Sequence, residues 1–226
     1  MSRTPHEMAK VRRGRLEEVL RAAPVVPVIT IEREDDGVPL AHALVAGGLP
    51  ALEITLRTPA APAAARAIAE AVPQAIVGIG TVLTPEDLES ARGLGARFAV
   101  SPGATPDLLD AAARSDLPLI PGVQTASEIM AALAHGFDVV KFFPAVPAGG
   151  IAALKALAGP FPQVRFCPTG GIGEENFLDW LKQPYVASVG GSWLAPAADI
   201  RAGSWEAITA RARRTVAMLK QVRSGT

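Results

Sequence analysis

The chain has 226 residues, in which 22 lysines and arginines balance 22 aspartates and glutamates. That balance argues against a nucleic-acid partner, because such binders usually carry a basic face. No apolar stretch approaches the ~18 residues of a membrane span, nothing resembles a secretory leader, and a single cysteine, Cys167, excludes an internal disulfide. A soluble, cytoplasmic protein with no membrane partner is the expectation.

Residues 1–23 form a leader, with an extra helix expected over 5–23. Its basic run, KVRRGR at 10–15, is followed at once by Glu17 and Glu18 and reads as the solvated side of that helix. Short β-rich runs then recur: VVPVITI (25–31), ALEITL (51–56), AIVGIGTVL (75–83), RFAVSPG (97–103), LPLIPGV (117–123), DVVKFFPA (138–145), VRFCPTGG (164–171) and ASVGGSWL (187–194). Alanine-rich segments with helical spacing lie between them. Thr84-Pro85-Glu86-Asp87 supplies an N-cap, a proline at the first helical position and early acids. Thr105-Pro106-Asp107 repeats that device, and Thr125-Ala126-Ser127-Glu128 fits a capping box. Gly47, Gly95, Gly136 and Gly159 stand where left-handed C-caps belong. The 21 glycines and 20 prolines therefore punctuate elements rather than mark disorder.

Eight strand–helix units in a little over 200 residues predict an α/β fold with a parallel sheet, of the size of a compact (β/α)8 TIM barrel. The rival, an open doubly wound sheet, needs a glycine-rich nucleotide loop after its first strand. Here that strand ends in TIEREDD, with no glycine in the turn. No linker or composition step divides the chain, so residues 1–226 are read as one domain, with the leader helix capping the base of the barrel.

Alternate residues of a strand face opposite ways. In LEITLR (52–57) the apolar face is Leu52, Ile54 and Leu56, so Glu53, Thr55 and Arg57 point into the barrel. Lys141, in VVKFFPA (139–145), shares a face with Val139 and Phe143. Parity does not settle which face is inner, but only an inward Lys141 meets a carboxylate, that of Glu53. A buried Glu53–Lys141 ion pair with no chemistry is the alternative, and such pairs seldom add much stability. Barrel enzymes place their sites at the C-terminal ends of the strands, where Arg57, Thr81, Pro102, Phe143 and Thr169 stand. The glycine pairs Gly170–Gly171 and Gly190–Gly191, the second followed by Ser192, fall after the seventh and eighth strands, where barrels commonly hold phosphate on backbone N–H groups.

His6, His42 and His135 show no ligand spacing to one another or to Cys167, so no metal site is expected. Cys167 reads as a small core residue, and Trp180, Trp193 and Trp205 as packing or interface residues. Without a metal, Lys141 is the group suited to handle an electrophile. Apolar walls such as Val139 and Phe143 penalise the ammonium and favour the neutral amine that attacks a carbonyl.

The stretches GGLPALEITLRT (47–58), VGIGTVLTPEDL (77–88), FAVSPG (98–103), LIPGVQTASE (119–128), VVKFFPA (139–145), GPFPQVRFCPTGGI (159–172) and GGSWL (190–194) closely resemble, in the same order, the bacterial 2-dehydro-3-deoxy-6-phosphogluconate aldolase / 4-hydroxy-2-oxoglutarate aldolase family. The resemblance runs from about residue 16 to the C-terminus. It implies a (β/α)8 barrel, usually a homotrimer, that acts on a small keto-acid phosphate as a class I aldolase with no cofactor. It further implies that Lys141 is the Schiff-base lysine and Glu53 the general acid/base. Arg57, Thr81 and Thr169 would bind the pyruvyl carboxylate and neighbouring groups, and Pro102 and Phe143 would wall the keto-acid pocket. Gly170, Gly171, Gly191 and Ser192 would surround the phosphate. Two stretches depart from the pattern: EREDD (32–36) is acidic for a mouth receiving an anion, and VPAGG (146–150) is a loose match. The galactonate epimer as substrate, a phosphate-binding barrel isomerase or epimerase, and a non-catalytic sugar-phosphate sensor are the competing readings.

Overall fold

A computed structural model describes residues 5–224. Residues 1–4 of the expected leader, residues 225–226 and the side chain of His6 lie outside the described residues. Strands β1 (Val25–Ile29), β2 (Ala51–Thr55), β3 (Ile76–Gly80), β4 (Phe98–Val100), β5 (Leu119–Ile120), β6 (Gly122–Val123), β7 (Val139–Phe142), β8 (Arg165–Phe166) and β9 (Val189–Gly191) each fall inside one of the eight runs expected from sequence. The fifth run supplies two strands because Pro121 stands between them and has no N–H to give a ladder.

Every strand pairing is parallel. Six strands run in the order β5-β4-β3-β2-β1-β9 and three in the order β6-β7-β8. The fifth run changes partner at its proline: β5 pairs with β4, β6 pairs with β7, and Pro121 O accepts from Lys141 N at 2.8 Å. Beyond β8 the chain makes isolated parallel bridges, Phe166 to Val186 and Thr169 to Gly190, with Gly190 N donating to Pro168 O at 3.0 Å. The outcome is an α/β fold on a curled parallel sheet.

Helices α2 (Gly37–Ala46), α3 (Ala61–Ala71), α4 (Pro85–Gly93), α5 (Pro106–Arg114), α6 (Ala126–Ala134) and α7 (Gly150–Ala158) return the chain between strands. The short α8 (Phe177–Leu181) and α9 (Ala197–Arg201) and the long α10 (Trp205–Ser224) complete the set. The starts read from sequence are present. Thr84 and Thr125 form full capping boxes with Asp87 and Glu128, and Thr105 accepts from Leu108 N, each cap contributing about 1 kcal/mol. Two of the expected left-handed C-caps are corrected. Gly95 and Gly136 have φ of 81° and 82°, but Gly47 and Gly159 are right-handed at −79° and −52°. After α2 it is Gly48 that turns left-handed, at 90°. Gly47 serves close packing instead: a Cβ there would lie 2.3 Å from Ala212 Cβ on α10.

The sheet buries apolar surface on both faces. Val25, Ile29, Leu52, Ile54, Val77, Ile79, Val140, Phe142, Phe166 and Val189 join the core shared with the surrounding helices. The opposite, concave face carries Val26, Ala51, Phe98, Val100, Ile120, Val139 and Cys167, and there the leader helix α1 (Pro5–Ala22) inserts Leu16, Val19 and Leu20. The basic run of α1 lies off that seam but is not wholly solvated as expected, since Arg12 is buried. Arg13 and Arg15 pair with Asp138 and Asp116, and Arg12 donates to the carbonyls of Ala113 and Ser115 while lying over the Phe137 ring. Among the described residues no helix is long and apolar enough to cross a membrane.

Two outcomes test the inner core. Leu20→Ala should cost about 2–5 kcal/mol, read from the urea midpoint; a loss below about 0.5 kcal/mol would show that α1 does not seal this face. Burial pushes the Cys167 thiol from 9.0 up to about 12, against the opposing pull of Arg165 and Lys141. The folded thiol thus ionises later than the unfolded one, so its contribution holds below pH 9.0 and is lost as pH climbs toward about 12. At about pH 8 the native protein should resist iodoacetamide, which needs the thiolate, and should take up one equivalent on unfolding; rapid native labelling would refute the burial.

Candidate active site

Strand parity puts Glu53 on the same face as Ala51, and Lys141 on the same face as Val139; both apolar partners belong to the concave core. The two charged groups therefore meet across the curl. Lys141 Nζ donates to Glu53 Oε1 at 3.2 Å, with side chains only 4% and 5% exposed. Lys141 Nζ also lies 5.1 Å from the centroid of the Phe143 ring, close enough for a cation–π contribution. Between the ion pair and α1 is a void of about 20 Å³, bordered by Thr169, Ser188 and Cys167, room for about one water molecule. The much larger cavity of about 420 Å³ lies instead at the N-terminal ends of the strands, beneath α1, where the pairs Arg13–Asp138 and Arg165–Glu17 already match their charges.

The rim at the C-terminal ends of the strands collects the remaining candidates. Arg57, exposed just beyond β2, donates from Nε to Thr81 Oγ1 at 3.1 Å. Thr81 has φ of +61°, the one non-glycine residue described in the left-handed region. A β-branched residue there is strained by about 1–3 kcal/mol, a condition concentrated at functional sites. Pro102, half-buried after β4, lies on Gly122, whose missing Cβ would sit 2.2 Å from the Pro102 carbonyl carbon. Phe143 precedes a cis bond to Pro144. Thr169 is buried and bridges to Gly190.

The glycine pairs have packing reasons of their own. Gly170 and Gly171 are left-handed, at φ 103° and 77°, and rest against Pro144 and Val146. Gly190 leaves room for Thr169 Oγ1, 2.4 Å from where its Cβ would stand, and Gly191 leaves room for the folded-back Trp193 ring at 1.8 Å. Ser192 follows, exposed. Two of the four acids after β1 are matched: Glu32 pairs with Arg201 at 3.2 Å, and Arg33 holds Asp36, which is buried, at 2.7 Å.

Several residues here went unremarked in the sequence. Ser101 is fully buried and accepts from Gly122 N at 3.2 Å, fixing the loop that carries Pro102. Thr55, read only as inward, donates to Ile29 O at 2.8 Å and meets Thr30 at 3.2 Å, tying β2 to β1 beside Glu53. Gly78 and Gly80 line the concave face, and alternation in VGIGT was the signal that could have found them. Among the described residues no three His, Cys, Asp or Glu side chains are grouped to hold a metal ion.

This arrangement pairs a buried lysine with a buried carboxylate beneath a rim of polar side chains, which suits covalent chemistry on a small carbonyl compound. Comparison with known proteins agrees. The family model for KDPG and KHG aldolase matches residues 16–211. The KHG/KDPG aldolase of Escherichia coli (strain K12) is 52% identical over 200 residues, covering 88% of this chain and 94% of that protein. The crystal structure of KDPG aldolase from Legionella pneumophila, with pyruvate captured at low pH as a covalent carbinolamine intermediate, is similar with TM-score 0.85 and 49% identity, over 87% of this chain and 96% of that one. The 2-keto-3-deoxy-6-phosphogluconate aldolase of Zymomonas mobilis ZM4 with 3-phosphoglycerate follows at TM-score 0.82 and 47% identity, over 88% and 93%. The chain belongs to the KDPG and KHG aldolase family.

Proposed function

We propose that this protein is a class I aldolase that cleaves 2-dehydro-3-deoxy-6-phosphogluconate to pyruvate and glyceraldehyde 3-phosphate, and 4-hydroxy-2-oxoglutarate to pyruvate and glyoxylate. The observation that carries this reading is the buried Lys141–Glu53 contact at 3.2 Å on a face lined mainly by apolar side chains. We infer also that the curled sheet is a complete eight-stranded (β/α)8 barrel in a single domain. Supporting this are the bent fifth run at Pro121 and the Thr169–Gly190 bridge between its outer strands, with α1 as the plug of its base.

In this mechanism Lys141 passes a proton to Glu53 and its neutral amine attacks the C2 ketone. Glu53 gives that proton back to the carbinolamine hydroxyl, which leaves as water, so a protonated imine now faces a carboxylate. The C3–C4 bond then breaks, its electron pair flowing into the imine to give an enamine, while Glu53 takes the proton of the C4 hydroxyl, directly or through one water. The aldehyde leaves. Glu53 returns its proton to C3, and hydrolysis of the imine frees pyruvate and restores Lys141. Arg57, Thr81 and Thr169 hold the pyruvyl carboxylate and adjacent oxygens, with Pro102 and Phe143 as apolar walls. Gly170, Gly171, Gly191 and Ser192 receive the phosphate. The covalent pyruvate adduct in the Legionella pneumophila enzyme supports the first half of this cycle, and 3-phosphoglycerate in the Zymomonas mobilis enzyme supports a phosphate-accepting mouth.

Borohydride added with pyruvate should label Lys141 irreversibly, located by peptide mass spectrometry. Labelling at Lys10, Lys155, Lys182 or Lys220 in its place would overturn the assignment. The substrate reading has a separate test at Ser192. One hydrogen bond to a charged group contributes about 1.5–3 kcal/mol, or roughly 10- to 150-fold in binding. Ser192→Ala should raise KM by that factor for the phosphorylated substrate and leave 4-hydroxy-2-oxoglutarate, which has no phosphate, almost unchanged. Equal losses on both substrates would remove Ser192 from the phosphate site.

A further inference from the structure

Beyond Ile76 at its start, strand β3 gives the concave face no side chain. Val77 and Ile79 point into the outer core, and the alternate positions are Gly78 and Gly80. Neither glycine has a positive φ, so their backbone would accept any L residue. What both positions require is space. A Cβ on Gly78 would stand 2.1–2.4 Å from three atoms of the Phe98 ring. At Gly80 all three nearest atoms belong to Glu53: Oε1 at 2.3 Å, Cγ at 2.7 Å and Cδ at 2.9 Å. The Glu53 side chain therefore lies flat across the bare backbone of β3 on its way to Lys141.

We infer that Gly80 is a positioning residue for the Glu53 carboxylate, setting its reach to Lys141 by leaving a lane that only a residue without Cβ provides. The inference rests on the reading of Glu53 as the proton carrier. The Glu53 backbone cannot yield, because it is held on both sides, in register with Val28 of β1 and Gly78 of β3. A methyl group at position 80 must then be met by the side chain alone. Bringing Oε1 from 2.3 Å out to an ordinary 3.4 Å contact moves the carboxylate by about 1 Å. Lys141 approaches from β7 and is not among the atoms nearest that methyl, so the nucleophile stays in place and the imine still accumulates with excess pyruvate, more slowly, while the repeated proton transfer at C3 loses its geometry. A misplacement of about 1 Å costs on the order of 10²-fold in rate.

The test is Gly80→Ala, assayed by borohydride trapping of the pyruvate imine and by solvent deuterium exchange into pyruvate C3. The final extent of trapping at saturating pyruvate should match the parent while the exchange rate falls about 10²-fold. Gly78→Ala is the same addition one pleat away, against Phe98; it should lower the urea midpoint without separating exchange from trapping. Exchange within about twofold of the parent in Gly80→Ala, or an equal separation in Gly78→Ala, overturns the inference. If Gly80→Ala does not fold, Gly80→Ala/Glu53→Ala decides: recovery of folding shows that Glu53 is what the methyl strikes, and continued failure refutes it. The parent reading fails separately, through Glu53→Gln: exchange near the parent rate would show that another group carries the proton.

Discussion

The structure is organised around one costly contact. Lys141 and Glu53 are almost wholly removed from water, 3.2 Å apart on the concave face of the sheet. Burying two ions costs several kcal/mol each, and their mutual attraction repays this only with good geometry. Apolar residues of similar volume would serve stability as well or better, by about 1–4 kcal/mol in comparable cases. Fold stability therefore gives no reason for this pair to exist. Its surroundings are arranged so that it survives: apolar residues below, the Leu16–Val19–Leu20 plug beneath them, and β2 tied to β1 through Thr55 alongside.

Space is the second constraint, and it follows from the first. A concave face is crowded by its own curvature, and each side chain admitted must be matched by one withheld. Phe98 lies over Gly78, Glu53 over Gly80, Thr169 over Gly190 and the Pro102 loop over Gly122. Each of these glycines takes a backbone conformation open to other residues. Their absent side chains, not their φ freedom, carry the information. Thr81 is the reverse case, a bulky residue held at φ +61° at the mouth beside Arg57. The strain of about 1–3 kcal/mol at such a position is sustained by the two apolar cores beneath it.

Much of this was legible in the sequence because strand and helix periodicities are local. Two-residue alternation placed Glu53 inward, and the capping residues Thr84, Thr105 and Thr125 opened their helices where the motifs stood. The direction of Lys141 was decided by a charge argument rather than by pattern, and its face proves to be that of Val139. What escaped depends on residues far apart in the chain. Nothing near Gly47 announces that Ala212 will press on it, and nothing near Gly191 announces the Trp193 ring folding back. The glycine pairs after β8 and within β9 were read as making room for an anion, yet Thr169 and Trp193 already occupy part of that room. The acidity of residues 32–36 looked wrong for an anion-binding mouth, and Arg201, 169 positions from Glu32, answers part of it by pairing with that carboxylate.

The choice of a carboxylate as partner to the lysine follows from the same dielectric argument that makes the pair expensive. In the proposed cycle the resting state is ammonium with carboxylate, a net charge of zero. Passing one proton gives amine with carboxylic acid, again zero. The protonated imine faces a carboxylate. Carbon–carbon cleavage turns the imine into a neutral enamine in the same step that protonates Glu53. Protonation of the enamine at C3 and hydrolysis retrace those pairings. At no stage does the buried pair hold an unmatched charge, so no step pays the several kcal/mol of an isolated ion in an apolar site. A neutral base such as histidine would leave a lone cation whenever the imine formed, and two cations once it accepted a proton before the electrons reached the nitrogen. In the proposed cycle a carboxylate beside an amine keeps the charge balanced through every proton it moves, so that cycle needs Glu53 as much for the charge of the site as for its chemistry.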